Sequence, residues 1–142
     1  MFAGIESALV QHLKENLDGV TVLTAAELAS VTEDRQPVPA VHVVYQGYQP
    51  KEVRNDGKAA RIDQQWLIVI ATKDVRSMRS GEKSRADASA IADKLLPLLM
   101  GWRTEAATGP FVLAPAPRPA YSHGITYMPL AFSVETALRV AP

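Results

Sequence analysis

The amino-acid sequence predicts an α+β fold: a small antiparallel sheet of about four strands, two main helices packed on one face, and a projecting β-arm. Two segments carry apolar residues at helical spacing, and several others have the apolar character of strands. The chain has 142 residues and is 47% apolar. This size and composition predict a single domain over residues 1–142 with a hydrophobic core.

Two main helices and one short helix are predicted. The first has apolar residues at helical spacing, followed by Gly19 as a stop; these residues are Phe2, Ile5, Leu9, Leu13 and Leu17. A capping box that begins at Thr24 predicts a short helix, and a similar pattern that begins at Ser84 predicts the main core helix, which extends to Leu99. Pro97 should bend or end that helix.

Two long segments, residues 40–49 and 61–72, are apolar on both alternating faces near the body and are predicted to be central strands. Three further segments are strand candidates: residues 20–23, 111–114 and 125–139. Pro129 predicts an edge or a bulge at the beginning of the last strand, because proline cannot donate to a ladder. We expect four side chains to be buried between sheet and helix: Trp66, Ile68, Ile91 and Leu95.

The connection between the two long strands, residues 50–60, is polar and charged. Minimal hairpins need about two to five loop residues. A longer connection predicts an arm at about residues 50–60, and projecting arms usually contact a partner. The sequence therefore favours an assembly or binding protein.

Charge is segregated along the chain although the formal net charge is zero. Residues 1–50 carry two basic and six acidic residues, whereas residues 73–85 carry five basic and two acidic ones. The zero net charge argues against a nucleic-acid binder. The segregation predicts an ionic contact between subunits, although charged loops are often simply solvated. The predicted basic contributors are Lys51, Arg54, Lys58, Arg76, Arg79 and Lys83, and the acidic acceptors are Glu27, Glu33 and Asp34.

Catalytic, cofactor and metal sites are not predicted. The chain contains no cysteine, and the three histidines have no metal-ligand spacing. Residues 81–84 precede a helix where a phosphate loop would lie, but position 76 is Arg where the P-loop needs its first glycine. Apolar runs are too short for a membrane span, and the N-terminus lacks signal-peptide features. We expect a protein that is soluble and intracellular when made, and that is not an enzyme.

Five segments taken together resemble the tail terminator proteins of long-tailed bacteriophages and their prophage relatives. They are residues 5–9, 39–43, 65–69, 86–102 and 132–135. The resemblance covers most of the chain and consists of the order helix, two strands, helix and final strand. It contains no short motif, so no functional position is transferred from the family.

The resemblance implies a subunit of a homo-oligomeric, hexameric ring without enzymatic activity or cofactors. Such a ring would cap the tail tube and contact the tail tube protein and a head-completion or neck protein. It would lie in the neck region of the virion tail, after assembly in the host cytoplasm. Two alternatives remain open: another neck or head-tail joining protein, and a small ligand-binding domain or enzyme that uses the loop at residues 73–84.

Overall fold

A computed structural model describes residues 2–73 and 82–141. Three α-helices, six strands and one 3₁₀ turn lie within these ranges. In chain order they are α1 (Phe2–Asn16), β1 (Thr21–Thr24), α2 (Ala25–Ala29), the 3₁₀ turn (Glu33–Arg35), β2 (Ala40–Val53), β3 (Ala59–Lys73), α3 (Glu82–Leu99), β4 (Phe111–Ala114), β5 (Ala120–Ser122) and β6 (Ile125–Arg139). The predicted α+β class is confirmed.

The strands form one sheet in the order β1-β2-β3-β6-β4, and β5 also pairs with β6. All pairings are antiparallel except that of β1 with β2. The expectation of about four strands was wrong, because the sheet has six in the described residues. The three-residue β5 follows a proline-rich stretch, and a segment this short has no periodicity that could reveal it.

Helices α1 and α3 cover one face of the sheet. Ile5 and Leu9 of α1 share a core with Leu95 of α3 and with Val41 and Ile68 from the central strands. The prediction placed the two main helices on one face and did not place the short third helix. The third helix, α2, lies over the opposite face, where its Leu28 lines a pocket together with His42 and Val44.

A short polar chain crosses the middle of this core. The indole N–H of Trp66 donates to the amide oxygen of Gln64 at 3.2 Å, and the Gln64 amide donates to the Thr136 hydroxyl at 3.2 Å. Trp66 and Gln64 are both 0% exposed. Because each buried donor has a partner, these groups can lie inside the core without the penalty of an unpaired polar atom.

Pro129 does not mark an edge, since β6 lies between β3 and the two short strands β4 and β5. Val140 donates its N–H to the carbonyl of Lys58, so even-numbered residues of β6 are those that bond to β3. Pro129, which lies opposite Val69, therefore directs its nitrogen away from β3. It falls between the stretches paired with β5 and with β4, where a missing donor breaks no ladder bond.

Helix α3 begins at Glu82, two residues before the predicted cap. Ser84 is buried, with its hydroxyl bonded to that of Thr126 and its carbonyl to the Thr72 hydroxyl. These contacts tie the start of α3 to the sheet. Of the four predicted core residues, Trp66, Ile68 and Leu95 are fully buried, whereas Ile91 is only partly buried at the margin.

Replacing Leu95 by alanine should lower the free energy of unfolding by about 2 to 5 kcal/mol, because the deleted atoms leave a cavity in a closed core. Ile91→Ala should cost less, since that side chain is partly exposed. Lys94→Ala, at an exposed position on the same helix, is the control. Urea unfolding measures all three variants; equal midpoints for Leu95→Ala and Lys94→Ala would contradict this placement.

Candidate functional site: the arm and the acidic face

The arm is more regular than the sequence predicts. Strand β2 continues to Val53 and β3 begins at Ala59, so the loop is only residues 54–58 and not the whole of residues 50–60. The Arg54 N–H donates to the carbonyl of Ala59, and the Gly57 N–H donates to that of Arg54. Gly57 has φ +73°, which is readily adopted only by glycine.

A third strand supports the arm, because β6 runs alongside β3 to its beginning. Ala59 lies opposite Arg139, and Val140 adds a further hydrogen bond to Lys58. The arm therefore consists of β2, β3 and β6 at their shared end. Its tip carries solvent-exposed apolar side chains, with Val53 57% exposed and Val140 62% exposed. The last strand was predicted over residues 125–139, the observed bounds of β6, and its 15 residues could have indicated a partner longer than the predicted segment 61–72.

Several charges of the arm are paired within the chain. The Lys51 ammonium lies 3.7 Å from the Asp63 carboxylate and 3.6 Å from that of Glu135, and these two acids lie opposite one another on β3 and β6. Lys51 thus screens two like charges that would repel across the ladder. Arg54 forms a bidentate salt bridge with the Asp56 carboxylate. The Lys58 side chain has no hydrogen-bond or ion-pair partner in the described residues.

The predicted acidic acceptors lie together on the segment comprising residues 25–36, hereafter the α2 segment. Glu27 completes the predicted capping box, because its carboxylate accepts from the Thr24 N–H and hydroxyl. Glu33 accepts from the Tyr127 hydroxyl at 2.8 Å and from the His123 ring at 3.1 Å. Asp34 is exposed and has no ionic partner in residues 2–73 and 82–141.

Glu33 and Tyr127 hold the α2 segment onto the sheet. The Tyr127 hydroxyl bond, with smaller contributions from Ser122 and His123, lowers the pKa of Glu33. Burial, together with the Glu33 carboxylate, raises the pKa of Tyr127 to about 12. At neutral pH an anionic carboxylate therefore accepts from a protonated phenol, and Gln36 donates to the same phenol at 2.7 Å.

A pocket of about 410 Å³ opens between the α2 segment and the sheet. Its lining is mainly apolar and consists of Leu28, Val31, Thr32, Glu33, Gln36, His42, Val44, Val69 and Tyr127. Gln36 Oε1 and His42 Nε2 are buried without a hydrogen-bond partner. Burial lowers the pKa of His42, so its ring is neutral at pH 7.

The remaining predicted residues lie elsewhere. Arg76 and Arg79, with most of the loop proposed for ligand binding, fall outside the described residues. Lys83 is exposed in the first turn of α3. In the described part of the chain, His, Asp and Glu side chains do not group into a metal site. Within the same ranges, no helix has the length and apolar character needed to cross a membrane.

The Glu33 carboxyl should titrate below its ordinary pKa of 4.5, and Tyr127→Phe should move its midpoint back towards that value. His123→Ala should move it less, because the histidine contributes less than the phenol. Since the folded-state pKa is the lower one, Glu33 stabilises the fold above about pH 4.5, and this stabilisation is lost as pH falls through the folded pKa. Carboxyl-carbon NMR measures the midpoints; an unchanged value in Tyr127→Phe would rule out this bond.

One protein-family model matches almost the whole chain. The family model described as phage tail terminator protein matches residues 4–142. A comparison with curated proteins gave no match. The matched range includes all of α1 except its first two residues, all of α3, the six described strands, the arm and the α2 segment. The chain therefore belongs to the phage tail terminator family and is a structural component of a bacteriophage tail.

Proposed function

We propose that the protein forms a homohexameric ring that caps the completed tail tube and joins it to a head-completion or neck protein. Membership of the tail terminator family supports a position at this end of the tail. The arm is the structural feature that best supports the proposal of a ring. It places cationic and apolar side chains together on a rigid three-stranded support, away from the helices that close the core.

Exposed apolar side chains supply contact area for such a ring. Large apolar residues at least half exposed include Tyr48 and Val53 on β2, Val112 and Leu113 on β4, Tyr121 on β5, and Val140. Interfaces between subunits depend mainly on burying such surface, and charged pairs at the rim chiefly set register. The apolar strand residues therefore carry the affinity in this proposal.

In this proposal, charged side chains set the position of each subunit relative to the next. Basic side chains of the arm, above all Lys58 and Arg54, face acidic residues of the next subunit's α2 segment. Arg76, Arg79 and Lys83 belong to the same proposal, as a second basic group. The zero net charge of the chain removes overall repulsion between identical copies. The assembled ring lies in the neck region of the virion, and its subunits fold in the host cytoplasm.

Electron microscopy of the purified protein, alone and with tail tubes, tests the ring directly. We expect annular particles of about six times the 15.4 kDa chain mass, and rings at one end of the tubes. Rings bound along the sides of tubes, or a chain that stays monomeric with and without tubes, would refute the proposal.

Lys58→Glu should weaken ring assembly and leave the melting temperature unchanged, because Lys58 has no partner within the described chain. Rim ion pairs contribute about 0 to 1 kcal/mol, so each contact should weaken by up to about fivefold. Wild-type assembly should also weaken at high salt. Lys94→Glu, an exposed reversal on α3, is the matched control. Sedimentation velocity over a concentration series gives the comparison; identical curves for both variants would remove Lys58 from the interface.

A further inference from the structure

The pocket beneath the α2 segment is incomplete in the isolated chain. Gln36 is 8% exposed and His42 is 3% exposed, yet Gln36 Oε1 and His42 Nε2 have no hydrogen-bond partner. A buried polar atom without a partner costs about 1 to 3 kcal/mol. Both residues line one pocket, so an occupant that enters beside them is a candidate source of the missing bonds.

The lining specifies the chemistry of that occupant. Leu28, Val31, Val44 and Val69 present an apolar surface to the pocket, which favours an aliphatic side chain. Gln36 Oε1 can only accept a hydrogen bond, so the occupant must also bring a donor. A matching segment is therefore apolar with an adjacent N–H or ammonium group.

The rim specifies its charge. Glu33 lines the pocket as a carboxylate, and the exposed Glu27, Asp34 and Arg35 lie on the same short segment, which leaves it with two more acidic than basic residues. This excess of acidic residues attracts a cation and disfavours an acidic partner. The arm tip has the complementary composition, since Val53 is 57% exposed and lies next to Arg54 and close to Lys58.

The arm of one chain cannot reach its own pocket. His42 and Val53 belong to the same strand, eleven residues apart. At about 3.3 Å per residue, they are separated by roughly 35 Å of extended backbone. The ladder with β3 has register shifts between Tyr45 and Tyr48 and between Pro50 and Glu52, but pairing on either side of them keeps the strand extended. A contact between arm and pocket must therefore join two copies.

We propose that the pocket beneath the α2 segment receives the arm tip of a second copy of this chain. Val53 enters among the aliphatic lining residues, a donor of the arm satisfies Gln36 Oε1, and Lys58 lies beside Glu33 and Asp34. The two contacting surfaces differ, so the contact is heterologous and repeats around a closed ring. This inference rests on the ring proposed above and identifies the surfaces that build it.

The absence of cysteine from the chain makes crosslinking a direct test. In a Val53→Cys and Val31→Cys double variant, the two introduced thiols are the only ones. A short bismaleimide should convert its rings into a ladder of covalent oligomers up to the full ring. Mixing the two single variants should yield crosslinked oligomers no larger than dimers. The control pairs Val53→Cys with Gln11→Cys, which is exposed on α1, and should give no ladder.

The outcomes separate this inference from the ring itself. Rings that form normally but give no ladder in the Val53 and Val31 variant would overturn the arm-pocket contact and leave the ring standing. In that case another part of the virion, or a small ligand, occupies the pocket. Failure of the wild-type chain to form any ring, alone or on tail tubes, would overturn both proposals.

A second variant tests the pocket without a crosslinker. Val69→Trp fills the space from the sheet side, where Val69 lines the pocket and is partly exposed. We expect ring formation to fall at least tenfold while the melting curve stays close to that of the wild type. Gln11→Trp, at an exposed position on α1 outside the pocket and the proposed interface, is the control for adding an indole. Rings that assemble equally well with Val69→Trp would contradict occupancy by the arm.

Discussion

Strand β3 is paired on both sides over almost its entire length, with β2 on one edge and β6 on the other. A slip of one residue in either ladder would turn Trp66 from the helix-covered face to the opposite one. A slip between β3 and β6 would also separate Gln64 from Thr136. The arm and the pocket both depend on this register, because the arm is one end of these ladders and the floor of the pocket is near the other.

The α2 segment covers one side of the pocket but contributes little to the hydrophobic core, since neither α2 nor the 3₁₀ turn contains a fully buried residue. Polar contacts hold it instead. Gln36 and Glu33 both form hydrogen bonds with the Tyr127 hydroxyl, so one phenol from β6 fixes the α2 segment at two residues. Because polar contacts rather than close apolar packing hold the α2 segment, apolar surface between it and the sheet stays uncovered and forms the pocket.

Elements with long, regular patterns were predictable from the sequence, and those set by tertiary contacts were not. The spacing of Leu9 and Leu13 identified α1, and the capping box at Thr24 identified α2. The extension of β2 through Lys51 was missed because its polar residues resemble a loop. Its ladder with β3 and the salt bridges of Lys51 with Asp63 and Glu135 make it a strand. Ser84 looked like a cap, yet it bonds to Thr126, which is 42 residues away. The acidic residues are visible in the sequence and remain a predicted contact, but the pocket beside them needs Tyr127 and His42 from distant strands.

The pairing of Ala59 with Arg139 joins residues 80 positions apart, and this affects how the chain folds as it is synthesised. Long-range pairing is slow, because a long loop must close before its contacts form. The apolar edge of β3 must wait for β6, while α1, β1 and β2 can already associate. Such an unpaired edge is prone to aggregation in a nascent chain. The same delay keeps the arm unfinished until β6 has been made, so unfinished chains lack the element proposed to join one subunit to the next.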